Sequence, residues 1–459
     1  MISFSPKPRL NSSAQKAANR RRRQLISSCF LLVFFGYALG VYRFFSRRLP
    51  SGEETKMEND DVDNGNHENP HHGVDFNANN ANANCPITVT DALTRASNPS
   101  RVHIGVVQQN TASGTDVSCG LPPPETSDGL GPQTPCSTST FPPDQRPMCK
   151  HSRNLKVFEG LTAELATGPV VARHVGYRLY DGQAFFMQVD AHVFFVENWD
   201  RIIIQEWQAT KNEMAVLSTY LTDVVGSIDP HTHNSKRKTR PIMCNTQFEA
   251  NAQGKYLRHG SQPESVPAIK GVPQLQPYWA AGFSFSRGHF PIQVPYDPYL
   301  PMIFQGEEIS IGVRGFTHGY DFYAPEKSVN FHVYAQGENK VKRKNVKSFW
   351  ENSKAHAGMG KLAMSRLLAI VGMVPDTEDY DRVEEDVYGT GSVRTAEMFY
   401  KIFGIEVVQK KTKKKLCDFV SSGNMHREFH EKHLRLDGIG IDYNKIGADF
   451  AIPAFLGQQ

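Results

Sequence analysis

Between Ala184 and Val196 the chain reads Ala-Phe-Phe-Met-Gln-Val-Asp-Ala-His-Val-Phe-Phe-Val, an apolar run interrupted only by Gln188, Asp190 and His192. Aromatic and β-branched residues at this density predict a buried strand, and therefore a covered sheet. Side chains alternate along a strand, so the carboxylate of Asp190 and the imidazole of His192 share one face. An oxygen donor beside a nitrogen donor is half of a divalent metal site. Taken alone, the same pair reads first as a hydrogen-bonded strand cap, and the rest of the chain has to decide between the two.

The basic residues are concentrated at one end. Lys7, Arg9, Lys16 and Arg20 to Arg23 precede residues 25–42, which carry no charge. That length is close to the ~20 residues that span hydrocarbon, and the positive flank predicts a cytosolic N-terminus with the remainder in a lumen. The expected order is a cytosolic tail (1–24), a transmembrane anchor (25–42), a stem (43–84) rich in Asn and Asp, a catalytic-size domain (85–409) and a C-terminal extension (410–459). A signal peptide cleaved near Ala38-Leu39-Gly40 is the alternative to the anchor. A net charge of +4 with 21% charged residues gives no reason to expect a nucleic-acid partner. Six cysteines follow the apolar segment, and an oxidising lumen permits them to pair, with connectivity left open. The Gly-, Pro-, Ser- and Thr-rich stretch 111–149 holds three of them and predicts a long loop pinned by disulfides or carrying function.

Helical and strand patterns alternate through residue 220. A helix is expected over 87–96, a strand over 101–108, a helix over 161–180 interrupted at Gly168-Pro169, another over 199–212 and a strand over 215–220. This alternation predicts an α/β layer structure with a mainly parallel sheet. Such sheets bind ligands beyond the carboxyl ends of their strands, where Asp190 and His192 fall. Trp199-Asp200 reads as closure of the strand rather than as a contact group.

Several further segments are distinctive in their order. They are Ala166-Thr167-Gly168-Pro169-Val170-Val171-Ala172-Arg173, then Gln188 through Asp200, and Ala280-Ala281-Gly282-Phe283-Ser284-Phe285-Ser286. Next come Val294-Pro295-Tyr296-Asp297-Pro298, Gly306-Glu307-Glu308-Ile309, and Gly319-Tyr320-Asp321-Phe322-Tyr323-Ala324-Pro325 leading to His332 and Tyr334. Tyr388-Gly389-Thr390-Gly391-Ser392-Val393-Arg394-Thr395 closes the series. Over about residues 85–405 this series resembles the polypeptide N-acetylglucosaminyltransferases of glycosyltransferase family sixty. The shared pattern includes Q-I/V-D-x-H-x-x-F-x-x-x-W-D, with D-x-H where most GT-A enzymes have D-x-D.

The resemblance implies a GT-A-like fold and a retaining transferase that moves GlcNAc from UDP-GlcNAc to a polypeptide hydroxyl. The acceptor in relatives is Thr or Ser of mucin-like glycoproteins, or hydroxyproline. It implies Asp190, His192 and His332 as ligands of a divalent cation, Mn²⁺ ahead of Mg²⁺, and Arg173, Gln188 and Asp190 on the donor side. Glu307 and Glu308 are the implied acidic pair near the reacting sugar. On a strand only one of the two would reach the site, whereas at a helix start both could serve the dipole. Arg173 has two readings, a phosphate partner or a partner to an acidic neighbour. The implied location is a Golgi or other secretory membrane in type II orientation. One departure stands out: relatives open with an I-F-V-x-I-x-S-x-R-D strand just before the Cys85 segment, and here that place is Asn-rich. An absent strand would leave neighbouring backbone groups unpaired at ~1–3 kcal/mol each where buried. The alternatives are the same fold with another UDP-sugar donor, or a non-catalytic membrane-anchored relative, which the missing strand would favour.

Overall fold

The computed structural model describes residues 30–35, 84–112, 119, 146–160, 162–251, 254–334, 347–374, 379–413 and 415–449. Its apolar runs form β1 (Phe30–Phe35), β2 (Val102–Val107), β3 (Leu155–Phe158), β4 (Phe185–Val189), β5 (Val193–Phe195) and β6 (Ala215–Ser218). A polar excursion adds β7 (Arg240–Pro241), β8 (Thr246–Asn251), β9 (Gly254–His259) and β10 (Glu264–Ser265). The chain then returns through β11 (Gln274–Gln276), β12 (Phe283–Arg287), β13 (Asp321–Ala324) and β14 (Asn330–His332). The main helices are α1 (Asn84–Arg95), α2 (Pro169–Tyr177), α3 (Trp199–Ala209), α4 (Glu307–Thr317), α5 (Met359–Ile370) and α6 (Ala396–Ile402).

Eight strands form one sheet in the order β11-β13-β6-β12-β4-β1-β2-β3. The expectation of a mainly parallel sheet is corrected here. Strands β2, β3, β4, β6 and β13 point the same way, but among neighbours only β2/β3 and β6/β13 are parallel. Strand β1 runs against both β2 and β4, and β12 runs against both β4 and β6. The reason is local: the 219–282 excursion folds back onto the sheet instead of crossing over it with a helix.

Strand β1 lies inside the segment expected to be a transmembrane helix. Phe-Leu-Leu-Val-Phe-Phe suits a buried strand as well as a span, because a short apolar run does not distinguish them. Its backbone pairs with β2 from Phe30↔Val107 to Phe35↔Val102 and with β4 from Leu31↔Val189 to Phe35↔Phe185. Among the described residues no helix is long and apolar enough to cross a membrane. The tail 1–24, the rest of 25–42 and the stem through residue 83 lie outside the described residues. The unpaired backbone foreseen for a missing opening strand is likewise not found, since β2 and β4 are bridged by β1.

The layers are tied together by buried polar groups at helix ends. Thr88 Oγ1 donates to the Val193 carbonyl at 2.9 Å, and Phe195 N donates to Asp91 at 2.6 Å. The indole of Trp199 donates to the Ala92 carbonyl (2.8 Å), while Asp200 accepts from Ser97 N and Asn98 N. Trp199 and Asp200 thus close α1 onto α3, where the sequence pattern predicts closure of the strand. Disulfide Cys85–Cys119 anchors α1 to the long loop, and Cys244–Cys417 anchors the excursion to the C-terminal segment. Residues after 410 are not a separate appendage: Phe419, Val420, Met425, Phe429, Ile441 and Tyr443 are buried in the same hydrophobic core as the sheet.

Candidate metal centre

Three groups meet where β4 ends. The chain leaves β4 at Val189, turns through Asp190-Ala191-His192 and re-enters the extended conformation as β5. Strand β14 pairs with β5 in a register that sets His332 opposite Val193. The backbone of His332 is held from both sides: its N–H donates to the Thr222 carbonyl (3.0 Å), its carbonyl accepts from Val224 N (2.9 Å), and Val333 N donates to the His192 carbonyl (2.9 Å). Ladder pairing on two flanks fixes the imidazole without help from its own side-chain bonds.

The result is that one ligand atom from each of Asp190, His192 and His332 lies within 4.8 Å of the other two. His332 Nε2 is 3.3 Å from Asp190 Oδ2. The two imidazoles meet edge to face at 4.3 Å between centroids, and Tyr334 lies against His332 at 4.1 Å. Two donors sharing one cation at bonds of ~2.1–2.3 Å stand at most ~4.4–4.6 Å apart, and the 3.3 Å between His332 and Asp190 lies inside that limit. His332 Nδ1 is buried without a hydrogen-bond partner. An imidazole left so, facing a carboxylate and a second imidazole, fits a mixed nitrogen and oxygen donor set for a divalent cation.

Arg173 supports the carboxylate from below. From the second turn of α2 it donates to Asp190 Oδ1 at 2.9 Å through Nη2 and to Glu307 Oε1 through Nη1. Of its two predicted readings, the structure gives it acidic neighbours. Burial alone would raise the Asp190 carboxyl, but the hydrogen bond from His332 and the positive charge of Arg173 outweigh it and hold the group well below the usual carboxylate range. The site is thus kept negative, as a cation requires. Helix α2 begins with Gly168 in a positive-φ conformation (108°) and Pro169, a pairing that stops the preceding turn and starts the helix so that Arg173 points inward.

Glu307 and Glu308 open α4, after Gly306 in the left-handed region (φ 99°), so the strand reading is set aside. Successive residues on a helix diverge by ~100°, and the two carboxylates separate accordingly. Glu307 is buried, accepting from Arg173 and from the Tyr296 hydroxyl (2.8 Å). Glu308 is half-buried and accepts from Ala281 N (2.9 Å) and the Tyr220 hydroxyl (2.8 Å). Burial pushes its carboxyl up to about 7, against the pull of those two donors. Gln188, expected on the donor side, is fully buried beneath Asp190; its amide donates to the Ala281 carbonyl (2.8 Å) and its oxygen accepts from the Tyr177 hydroxyl (3.2 Å). It places the Ala281-Gly282 backbone, whose Gly282 carbonyl in turn accepts from Asp190 N at 3.3 Å.

Two supports were not foreseen from the sequence. Tyr296 joins Glu307 to Gln188, and Tyr220 joins Glu308 to the edge of β6. The Val-Pro-Tyr-Asp-Pro segment marked Tyr296 as unusual, but pattern alone gave it no partner. Tyr220 carried no signal.

The profile described as Glycosyltransferase (GlcNAc) matches residues 78–409. No curated protein matches the chain. One similar solved structure is described as "Crystal structure of GalNAc-T7 with UDP, GalNAc and Mn2+", at 15% identity and a TM-score of 0.31. The likeness covers 54% of this chain and 44% of that one, so the chain spans less than half the length of that protein.

Proposed function

The chain belongs to the GlcNAc glycosyltransferase family, and we propose that it transfers GlcNAc from UDP-GlcNAc to a hydroxyl of a polypeptide with retention at the anomeric carbon. The observation that carries this reading is the convergence of Asp190, His192 and His332 from distant parts of the sequence onto one small volume. A divalent cation held there, Mn²⁺ ahead of Mg²⁺, would supply positive charge to the diphosphate as it departs.

The protein's own groups do the rest. Arg173 orients Asp190 and is itself fixed by Glu307, which makes Glu307 a positioning residue. Glu308, half-buried and held by Ala281 and Tyr220, is the acidic group we place toward the reacting sugar or the incoming hydroxyl. In the transfer, the acceptor oxygen bonds to the anomeric carbon, the bond from that carbon to the β-phosphate oxygen breaks, and the acceptor proton passes to that leaving oxygen on the same face. No strong carboxylate base is needed for such a step.

We further propose a lumenal, secretory location, Golgi or related, which Cys85–Cys119 and Cys244–Cys417 support because reducing compartments do not keep such bonds. Residues 30–35 cannot serve a membrane span and strand β1 at once, so carbonate extraction of the full chain is the check on anchoring.

The test of the activity is UDP release from UDP-GlcNAc, UDP-GalNAc and UDP-Glc, each with Mn²⁺, Mg²⁺ or EDTA, with Thr/Ser and hydroxyproline peptides as acceptors. The expected result is metal-dependent release, fastest with UDP-GlcNAc and Mn²⁺ and stimulated by one peptide class. Release that ignores EDTA would sink the metal reading, and calorimetry without any metal-dependent UDP binding would identify a non-catalytic relative.

A further inference from the structure

Two large aromatic rings stand in solvent where the two helices that build the site begin. Phe304 is 50% exposed and Trp350 is 46% exposed. They meet edge to face at 6.1 Å between centroids. Paired, half-exposed rings offer a partner apolar area and aromatic faces.

Their placement links them to the metal centre. Phe304 is three residues before Glu307, so the two backbones are at most ~11 Å apart. Trp350 lies tilted against Phe349 at 4.1 Å, and Phe349 lies over Gly168, the residue before the helix that carries Arg173. Asn352 clamps the same corner by donating to the Ala163 and Ala166 carbonyls at 2.8 and 2.9 Å. The backbone of Trp350 is fixed as well. Ser348 and Glu351 form a reciprocal capping box around it, with Trp350 N donating to Ser348 Oγ. The shelf is therefore rigid, and ring exposure on it is not a consequence of a loose loop.

Two neighbouring charges are already engaged. Lys347 pairs with Glu164 at 3.6 Å, and Glu351 accepts from Ser348 N at 2.7 Å. What the two rings offer a partner is apolar area. The shelf is continuous with the site through Ile303, whose carbonyl sits over Gly168, and through Gly306 at the head of α4.

We propose that Phe304 and Trp350 form a subsite for the acceptor polypeptide, taking an apolar side chain that flanks the hydroxyl that is glycosylated. This rests on the polypeptide-acceptor reading, and the experiment separates the two.

The probes are two Thr-centred peptides, one with Leu at the second to fourth positions on both sides and one with Ala there. They are assayed against the wild type, Phe304→Ala, Trp350→Ala and Trp350→Phe. Binding is read by calorimetry without donor, turnover by peptide-dependent UDP release, and the donor half by UDP release without peptide. Expected is a rise of about tenfold in Kd and KM for the Leu peptide in either Ala variant, in keeping with loss of one partly buried aromatic contact. The Ala peptide, kcat and peptide-free UDP release stay unchanged, and Trp350→Phe restores most of the affinity. Equal shifts for both peptides, or none, overturn the subsite. So does a wild-type dimer that Trp350→Ala dissociates in sedimentation, because a second copy would then be the occupant. Leu-peptide binding that depends on Trp350 without any UDP release would keep the subsite and reject the transferase reading.

Discussion

Asp190 and Asp321 each sit at a strand end with an arginine across from them, yet they belong to opposite edges of the sheet. Strands β4 and β13 point the same way, so the residue after β4 is at the carboxyl edge and the first residue of β13 is at the amino edge. Asp321 is wholly enclosed. Its Oδ2 accepts from Asn212 Nδ2 (2.8 Å) and Ile441 N (2.9 Å), and its Oδ1 lies 2.9 Å from Arg394 Nη1. Arg394 donates onward to the Tyr320 and Ile441 carbonyls and lies over the rings of Phe316 and Tyr443. Asp297 and Arg366 make a second closed pair at 2.7 Å. At Asp190, by contrast, 23% of the side chain is exposed, and one oxygen faces an imidazole whose Nδ1 has no partner. An Arg–Asp pair spent on the backbone of the elements it joins is a rivet. One that keeps an oxygen toward imidazoles and solvent leaves that oxygen open to a cation.

The largest separation between the two should come from removing Arg394. Arg394→Ala leaves the Asp321 charge buried and unpaired, and loss of one partner from such a pair costs ~3–5 kcal/mol. Urea unfolding should show that loss, while metal-dependent UDP affinity of the folded fraction stays at the wild-type level. A stability change under ~1 kcal/mol would mean that the enclosure of Asp321 does not depend on its arginine.

His332→Ala should behave in the opposite way. Metal-dependent UDP binding, followed by calorimetry with Mn²⁺, is expected to fall by more than ~10²-fold, since even groups that merely orient ligands are worth ~10–100-fold. The urea midpoint should barely move, because the backbone of His332 is held by ladder pairing rather than by its ring. If stability collapses and UDP binding survives, His332 is a rivet like Arg394 and the metal reading fails.

How far the sequence foretold this contrast differs residue by residue. Strands β2, β4 and β6 and helix α3 lie within the stretches where periodicity put them, and α1 overlaps its stretch but starts three residues before it, because each is strongly patterned. The D-x-H pair was read from strand alternation, yet Asp190-Ala191-His192 turn between β4 and β5, so the turn and not period two brings their side chains together; His332 came only from resemblance, since nothing local distinguishes it from a core histidine. Arg394 and Asp321 stood in two separate motifs that looked functional, and the structure bonds them to each other. A distinctive motif can carry a structural pair as readily as a ligand. The apolar segment 25–42 was misleading for a different reason. Six residues rich in Phe and Leu satisfy a membrane and a sheet interior alike, and only pairing partners decide, which lie some seventy and more residues away in β2 and β4. The antiparallel return of β12 was hidden for the same cause.

The smallest expected effect tests whether Glu308 sits on the open or the closed side of this comparison. Its carboxyl is raised to about 7 from an ordinary 4.5, chiefly by burial. The folded protein therefore binds more protons than the unfolded chain between those two values, and unfolding free energy falls as pH rises through that window. The contribution is fully present below about 4.5 and lost by about 7, and for a half-buried group we expect ~1–3 kcal/mol. Urea unfolding in EDTA across this range should show the wild type losing that much more stability than Glu308→Gln, which cannot titrate. Bound UDP with Mn²⁺ should change the size of the difference, because Glu308 lies beside Ala281 and Tyr220 at the mouth of the site. A carboxylate enclosed like Asp321 would give the same pH difference with or without ligand, and that outcome would move Glu308 out of the reaction and into the framework.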